Sequence, residues 1–179
     1  MIKFYYIRCR IHSWTKFKDF TKLYKSKLII FTMRHLSNKE IKGLNEILFP
    51  GYELSKKDTI TEGDDIIYRN GEKYLIVIDK NKKNILRVIP HLKSLVDSGI
   101  KSVYVDHGAI PFIMKGADIM RPGIQKIEEF EKGETIFIKD EEHSRVLAVG
   151  EALFSSEEMT GMEKGIVVKV YHFLGDKIY

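Results

Sequence analysis

One cysteine, one tryptophan and four prolines are all that 179 residues contain of these types, and each scarcity excludes something. With Cys9 alone, no disulfide can form within the chain and no cysteine-based zinc cluster can be built, which fits a reducing, cytoplasmic setting. No run of about 18 apolar residues exists, so no membrane-spanning helix is expected. A Gly-x-Ser-x-Gly elbow, a Walker loop and a His-Glu-x-x-His pair are all missing. The six histidines are scattered, and Asp106 and His107 are neighbours whose side chains diverge on a strand. Glu141–His143 reads as a solvated charge cluster in a hairpin turn, and His172 as a partly buried structural histidine. The expectation is a protein without catalytic residues, metal or cofactor.

Basic charge is also scarce over most of the chain, although the formal net charge is +5 at pH 7. Residues 1–32 hold eight Lys or Arg against the single acid Asp19, a balance of +7. Residues 33–99 carry twelve bases and ten acids, or +2, and residues 100–179 carry ten and fourteen, or −4. Any anion-binding surface on the body is therefore a local patch. The first 32 residues lack the apolar centre and small-residue cleavage site of a secretory signal. Three readings stay open for them: an extension upstream of a start at Met33, a basic arm that touches nucleic acid, or a targeting segment. A start at Met33 would leave a chain with no cysteine.

Residues 33–99 read as a small α/β domain. "SNKE" at Ser37–Glu40 has the form of a capping box, with Ile41, Leu44, Ile47 and Leu48 at helical spacing and Pro50-Gly51 as the stop. Asn70-Gly71 between two strand-like runs predicts a hairpin through a type I′ turn. A strand is expected at Ile85–Val88, then a short helix from Pro90 to Gly99 with Leu92, Leu95 and Val96 inward. The "DKNKKN" loop, Asp79–Asn84, is either a solvated turn or a basic loop facing phosphate.

Residues 100–179 change to period two. Val103 and Val105 alternate with polar neighbours, a short helix follows Gly108 and stops at Gly116, and Ile119-Met120 opens another strand. Arg121-Pro122-Gly123 suits a type II turn. Thr135–Lys139 and Arg145–Phe154 form a hairpin, and Ile166–Phe173 the last strand. Five or six short strands with one short helix describe a small closed or half-closed barrel. Gly108, Gly116 and Gly123 fall at its transitions, where backbone geometry alone explains them. They equally suit close approach of a ligand, with Lys101, His107, Lys115 and Arg121 supplying local positive charge.

These residues carry a resemblance. "VDHGAIPFIMKGADIMRPGI", the "AVGEAL" strand and the "HFLGD" ending resemble a PUA domain, the pseudobarrel named for pseudouridine synthases and archaeosine transglycosylases. The "IPHLKSLVDSG" segment that precedes it is similar to the N-terminal unit of the malignant T-cell-amplified sequence family, which has archaeal single-protein relatives. The resemblance covers residues 33–176. It implies an α+β fold with a small N-terminal domain over 33–99 and a PUA domain over 100–179. It implies a non-catalytic protein that grips structured RNA, either rRNA or tRNA, with the short helix, the adjoining strand and the last strand. Carried onto this chain, the RNA-binding residues are Lys101, His107, Gly108, Ala109, Lys115, Gly116, Arg121, Pro122 and Gly123, with Lys169 and Tyr171 on the last strand. The partner implied bears an initiation-factor-like domain, and the setting is the small ribosomal subunit during initiation and recycling. Two other roles stay open: RNA-docking subunit of an RNA-modification complex, and ribosome-assembly factor on pre-rRNA. Lys115 and Arg121 are expected to be exposed.

Overall fold

The capping box forms as the sequence predicts. In the computed structural model, which describes residues 33–81 and 84–179, Ser37 Oγ accepts from Glu40 N (3.3 Å) and Glu40 Oε2 accepts from Ser37 N (2.8 Å). The Ser37 hydroxyl and amide, then Arg34, hold the Glu40 carboxyl down at about 2. The segment 1–32, with the expectations attached to it, and Lys82 and Lys83 at the tip of the Asp79–Asn84 loop lie outside the described residues.

Helix α1 spans Asn38–Asn45 and buries Ile41 and Leu44. It stops earlier than Pro50 because the Asn45 side chain clasps Leu54, accepting from its N and donating to its O, both at 2.9 Å. Ile47, expected on the buried face, is consequently exposed.

Five strands follow one another in a meander: β1 (Arg34–His35), β2 (Ile60–Gly63), β3 (Ile66–Arg69), β4 (Glu72–Asn81) and β5 (Asn84–Pro90). Asn70 and Gly71 join β3 to β4 with φ of +55° and +89°, the geometry of the predicted turn. One face of this sheet packs Ile67, Leu75 and Val77 against Ile41, Leu44 and Tyr52.

No helix forms over residues 91–100. Pro90 is instead the last residue of β5, opposite Leu75, and the chain beyond it is held against the sheet. Ser94 Oγ donates to Tyr74 O (2.7 Å), and the buried Tyr52 hydroxyl accepts from Val96 N (3.3 Å). Gly51, at φ +85°, presses on this segment so closely that a Cβ would stand 2.9 Å from Asp97 O. Leu92 is buried as expected, whereas Leu95 and Val96 face solvent.

The second sheet has six strands: β6 (Ser102–Val105), β7 (Ile119–Met120), β8 (Ile124–Ile127), β9 (Thr135–Asp140), β10 (Val146–Ala152) and β11 (Ile166–Phe173). Their order is β7-β11-β10-β9-β6-β8, and β6 with β9 is the one parallel pair in the described residues. Inward residues Val103, Val105, Ile136, Ile138, Ala148 and Val168 fill the pseudobarrel. Helix α2 (Ile110–Ile113) and helix α3 (Ser156–Gly161) close it. The second of these is additional to the one helix expected, and it opens on another capping box, Ser155 with Glu158. The architecture is the expected α+β one. Among the described residues no helix is long and apolar enough to cross a membrane.

The outer face of the second sheet is covered as well. Phe137 and Val149 pack against Ile76, Ile89 and Leu92 of the first sheet's side. Arg87 from β5 reaches over, donating to Glu151 Oε2 (2.7 Å) and to Gly133 O (3.2 Å). At the other end of the seam, His91 and His172 are fully buried with ring centroids 4.7 Å apart. His91 Nδ1 accepts from Lys93 N (3.1 Å), so its proton sits on Nε2, which donates to Ile178 O (2.8 Å). His172 Nδ1 donates to Asp176 Oδ2 (2.6 Å), and its Nε2 has no partner.

Burial lowers the pKa of both histidines and outweighs what raises them, the Ile178 carbonyl for His91 and Asp176 for His172. The folded state therefore holds both neutral, while the unfolded chain takes up protons near pH 6.5. Their contribution is complete above that pH and is lost as pH falls below it. Urea unfolding is expected to show nearly constant stability from pH 8 to 7, then a decline with falling pH whose slope is bounded by about 2.7 kcal/mol per pH unit, the limit for two protons. The variant His91→Phe should lose about half of that slope, since one of two titrating groups is gone; an unchanged slope would show that the pair does not titrate on unfolding.

Candidate nucleic-acid interface

The parallel pairing of β6 with β9 forces a long crossover, and residues 106–134 make it. This crossover contains the glycine-rich stretch. Asp106 organises its start: Oδ1 accepts from Ala109 N (2.8 Å), the main-chain N donates to Gly123 O (3.0 Å), and Oδ2 accepts from Gln125 Nε2 (3.4 Å). His107 and Gly108 are exposed in the turn so formed, and their amides make no intramolecular hydrogen bond among the described residues.

The three glycines have different reasons. Gly116, at φ +84°, ends α2 and lies against Phe173, where a Cβ would stand 2.8 Å from the ring. Gly108 and Gly123 are not at positive φ. A Cβ on Gly108 would come to 3.2 Å from Asp106 Oδ1, and one on Gly123 to 3.3 Å from the Ala109 Cβ. Arg121-Pro122-Gly123 is accordingly a 3-10 turn rather than the expected type II turn.

His107, Gly108, Ala109, Pro122 and Gly123 thus cluster at the start of α2, with Lys115 and Gly116 exposed at its end. Asp118 Oδ1 accepts from Val170 N (2.9 Å), which brings the Lys169 stretch of β11 beside the loop after α2. Lys169 is exposed, with its ammonium 5.3 Å from the Tyr171 ring centre.

Three of the expected residues stand otherwise. Arg121, expected to be exposed, is half-buried: Nε donates to Met159 O (2.6 Å) and a terminal nitrogen to Ile124 O (3.0 Å). It ties the 3-10 turn to α3, because a guanidinium is the group long enough to reach two carbonyls across that corner. Tyr171 donates its hydroxyl to Glu151 Oε2 (2.6 Å), the oxygen that Arg87 also holds. Burial and then that bond raise the phenol pKa, and the ring belongs to the seam between the sheets. Burial alone would raise Glu151, but Tyr171 and Arg87 outweigh it and hold the carboxyl below its ordinary range. Lys101 precedes β6, at the end opposite to His107, beside Gly133–Thr135.

The sequence reading passed over Phe112. This ring is 65% exposed on α2, and Met120 and Ile166, cross-strand partners, are 55% and 49% exposed nearby in the chain's β7–β11 pair. A one-turn helix can bury only one side, and Ile113 occupies it, so the preceding Phe faces out. An open aromatic face stacks bases. A cavity of about 560 Å³ adjoins the turn, floored by Val105, Ile110 and Leu147 and edged by His107, His143 and Arg145. The Asp140 carboxylate there is taken up by the hairpin turn, accepting from His143 N (2.5 Å) and Arg145 N (3.0 Å). Among the described residues no cluster of His, Cys, Asp and Glu is arranged to hold a metal ion.

A six-stranded pseudobarrel with a short helix after its first strand, carried behind a five-stranded sheet, defines a class, and comparison with known proteins agrees. The PUA domain model matches residues 101–174. An uncharacterized protein of Methanocaldococcus jannaschii is 36% identical over 80% of this chain and 93% of its own length. Translation machinery-associated protein 20 of Saccharomyces cerevisiae is 34% identical over 51% of this chain and 56% of its own. Malignant T-cell-amplified sequence 1 of Rattus norvegicus is 28% identical over 80% and 87%. The crystal structure of a hypothetical protein from Pyrococcus horikoshii superposes with a TM-score of 0.67 at 32% identity, covering 82% of this chain and 97% of that one. The chain belongs to the PUA-domain proteins of the malignant T-cell-amplified sequence type.

Arg121 and Lys115 should separate cleanly in a stability measurement. Arg121→Leu removes the side-chain donor from the Ile124 carbonyl and leaves Met159 O with Met162 N alone, a loss of about 1–3 kcal/mol in urea unfolding. Lys115→Gln, at an exposed helix end, should stay within about 0.5 kcal/mol of wild type. Equal midpoints for the two variants would show that Arg121 does not anchor the turn.

Proposed function

We propose that this protein is a non-catalytic RNA-binding protein of the translation machinery, and that structured RNA, rRNA of the small ribosomal subunit or tRNA, docks on the surface formed by α2, the loop after it and β11. One observation carries the reading: free main-chain amides at His107 and Gly108, the Lys115 ammonium and the open Phe112 ring all lie on one four-residue helix and its ends. Amides and a few cations suit recognition of RNA shape through phosphates and 2′-hydroxyls, and the ring suits an unpaired base. The yeast relative is named for its association with the translation machinery, which supports that setting.

Within this proposal the RNA-contacting residues are His107, Gly108, Ala109, Lys115, Gly116, Pro122 and Gly123, with Lys169 at the margin and Phe112 added. Arg121 and Tyr171 support the surface from behind. Residues 33–99 and 100–179 act as two domains in the cytoplasm, the first offering a face to a protein with an initiation-factor-like domain.

The test is a pull-down of the full chain from cell extract at 50 and 200 mM KCl, with sequencing of the RNA retained. Small-subunit rRNA or tRNA should be enriched, and Phe112→Ala should weaken binding of the recovered RNA roughly 5- to 100-fold, the worth of one base stack. Enrichment of precursor or unmodified tRNA would reassign the protein to RNA modification, and no enrichment over a mock pull-down would overturn the RNA-binding reading.

A further inference from the structure

Tyr104 lies on β6 with Lys126 of β8 as its cross-strand partner on one side and Lys139 of β9 on the other. Directly paired residues of neighbouring strands share a face, so the three side chains form a row across the outside of the sheet. The Lys126 ammonium stands 4.8 Å from the ring centre and that of Lys139 5.7 Å. Two like charges therefore converge on one tyrosine.

A carboxylate would ordinarily answer such a pair. Glu128 is the nearest, but it accepts from the Tyr104 hydroxyl through Oε1 (2.9 Å) and from Ser102 N through Oε2 (2.9 Å). Neither lysine makes an ion pair among the described residues. In a segment whose net charge is −4, two ammonium groups without an ion pair among the described residues, on the strands either side of β6, are a marked local excess. Strands are spaced about 4.8 Å apart, so the two lysine stems rise about 10 Å from each other, with the flat ring between.

Resting on the reading that the protein binds RNA, we infer that Lys126, Tyr104 and Lys139 form a second RNA contact, which holds two backbone phosphates on the outer face of β8, β6 and β9. These strands carry none of the α2–β7–β11 surface. Lysines are point charges without the fork that reads a base edge, so the contact is indifferent to sequence. An anion between the ammonium groups also relieves their mutual repulsion, which the ring alone does not.

The experiment titrates a fluorescein-labelled 20-base-pair RNA hairpin with a four-nucleotide 3′ tail into the full-length protein at several KCl concentrations. The basic residues 1–32 are the same in every variant, so differences report the patch. Lys126→Gln with Lys139→Gln should weaken binding at least ten-fold at 50 mM KCl and reduce the slope of log K against log[KCl] by about 1.4 to 1.8, two phosphates' worth. Lys132→Gln, away from the row, should reduce neither. In the wild-type protein, the ε-methylene NMR signals of Lys126 and Lys139 should shift on adding the hairpin. Binding by wild type with an unchanged slope in the double variant, or unshifted lysine signals, overturns this inference and leaves the α2 surface standing. Failure of wild type to bind the hairpin at all overturns the RNA-binding reading and this contact with it.

Discussion

The middle of strands β9 and β10 is buried on both faces, and most of the molecule's layout follows from that. In β9 the consecutive residues Ile136, Phe137 and Ile138 are all buried, and in β10 Leu147, Ala148 and Val149 are too. Ile136 and Ile138 point into the pseudobarrel, as do Leu147 and Ala148 across a register shift in β10, while Phe137 and Val149 point at Ile76, Ile89 and Leu92. A strand covered on both sides gains roughly twice the apolar burial of one that faces water. It also loses its outer face as a binding surface. What remains for contact is the crossover on one side and, on the other, the flank of β8 and β6 with the Lys139 end of β9.

The seam that covers β9 and β10 holds its polar side chains in two bonded sets, with His172 Nε2 the one buried atom of these sets left without a partner among the described residues. Arg87, Glu151 and Tyr171 form one such set and His91, His172 and Asp176 the other. Burying any one of these without its partner would cost more than the bond returns. They fix how the two sheets face each other, which apolar contact alone does less sharply. Polar side chains of the crossover obey the same logic. Asp118 and Arg121 bond main-chain groups of another segment and Asp106 the Ala109 amide of its own turn, so charges that look available in the sequence are already engaged.

Local signals were legible in the sequence where one segment decides its own geometry. Ser37 with Glu40, Asn70 with Gly71, the short helix after Gly108 and the last strand Ile166–Phe173 are all of this kind. The segment after Pro90 was not, because bonds to Tyr52 and Tyr74 from distant positions hold it as a turn and loop against the propensity of Leu92–Val96. The α3 capping box at Ser155–Glu158 has the same spacing as the first one but sits in a stretch that reads as barrel, so its signal was passed over. At the candidate site, glycines and residue types could be read, but side-chain direction could not. Arg121 turning inward, Lys101 standing at the far end of β6 and Phe112 facing out all depend on which side of an element the barrel occupies.

A body of net acidic charge can still hold a polyanion if its cations are placed rather than numerous. Long-range attraction from residues 100–179 is weak or adverse, so affinity must come from contacts made at short range. Such contacts are strong only when the donors are already in position, and here the scaffold supplies that: amides fixed by the Asp106 turn, an exposed ring on α2, and lysines braced on Tyr104. The two proposed stations, on separate parts of one barrel, would also do what a single patch cannot. One contact lets a helical RNA pivot, whereas two at a fixed separation accept only those shapes that reach both. Selectivity for a folded RNA over a flexible strand then arises from distance and angle, with little reading of bases.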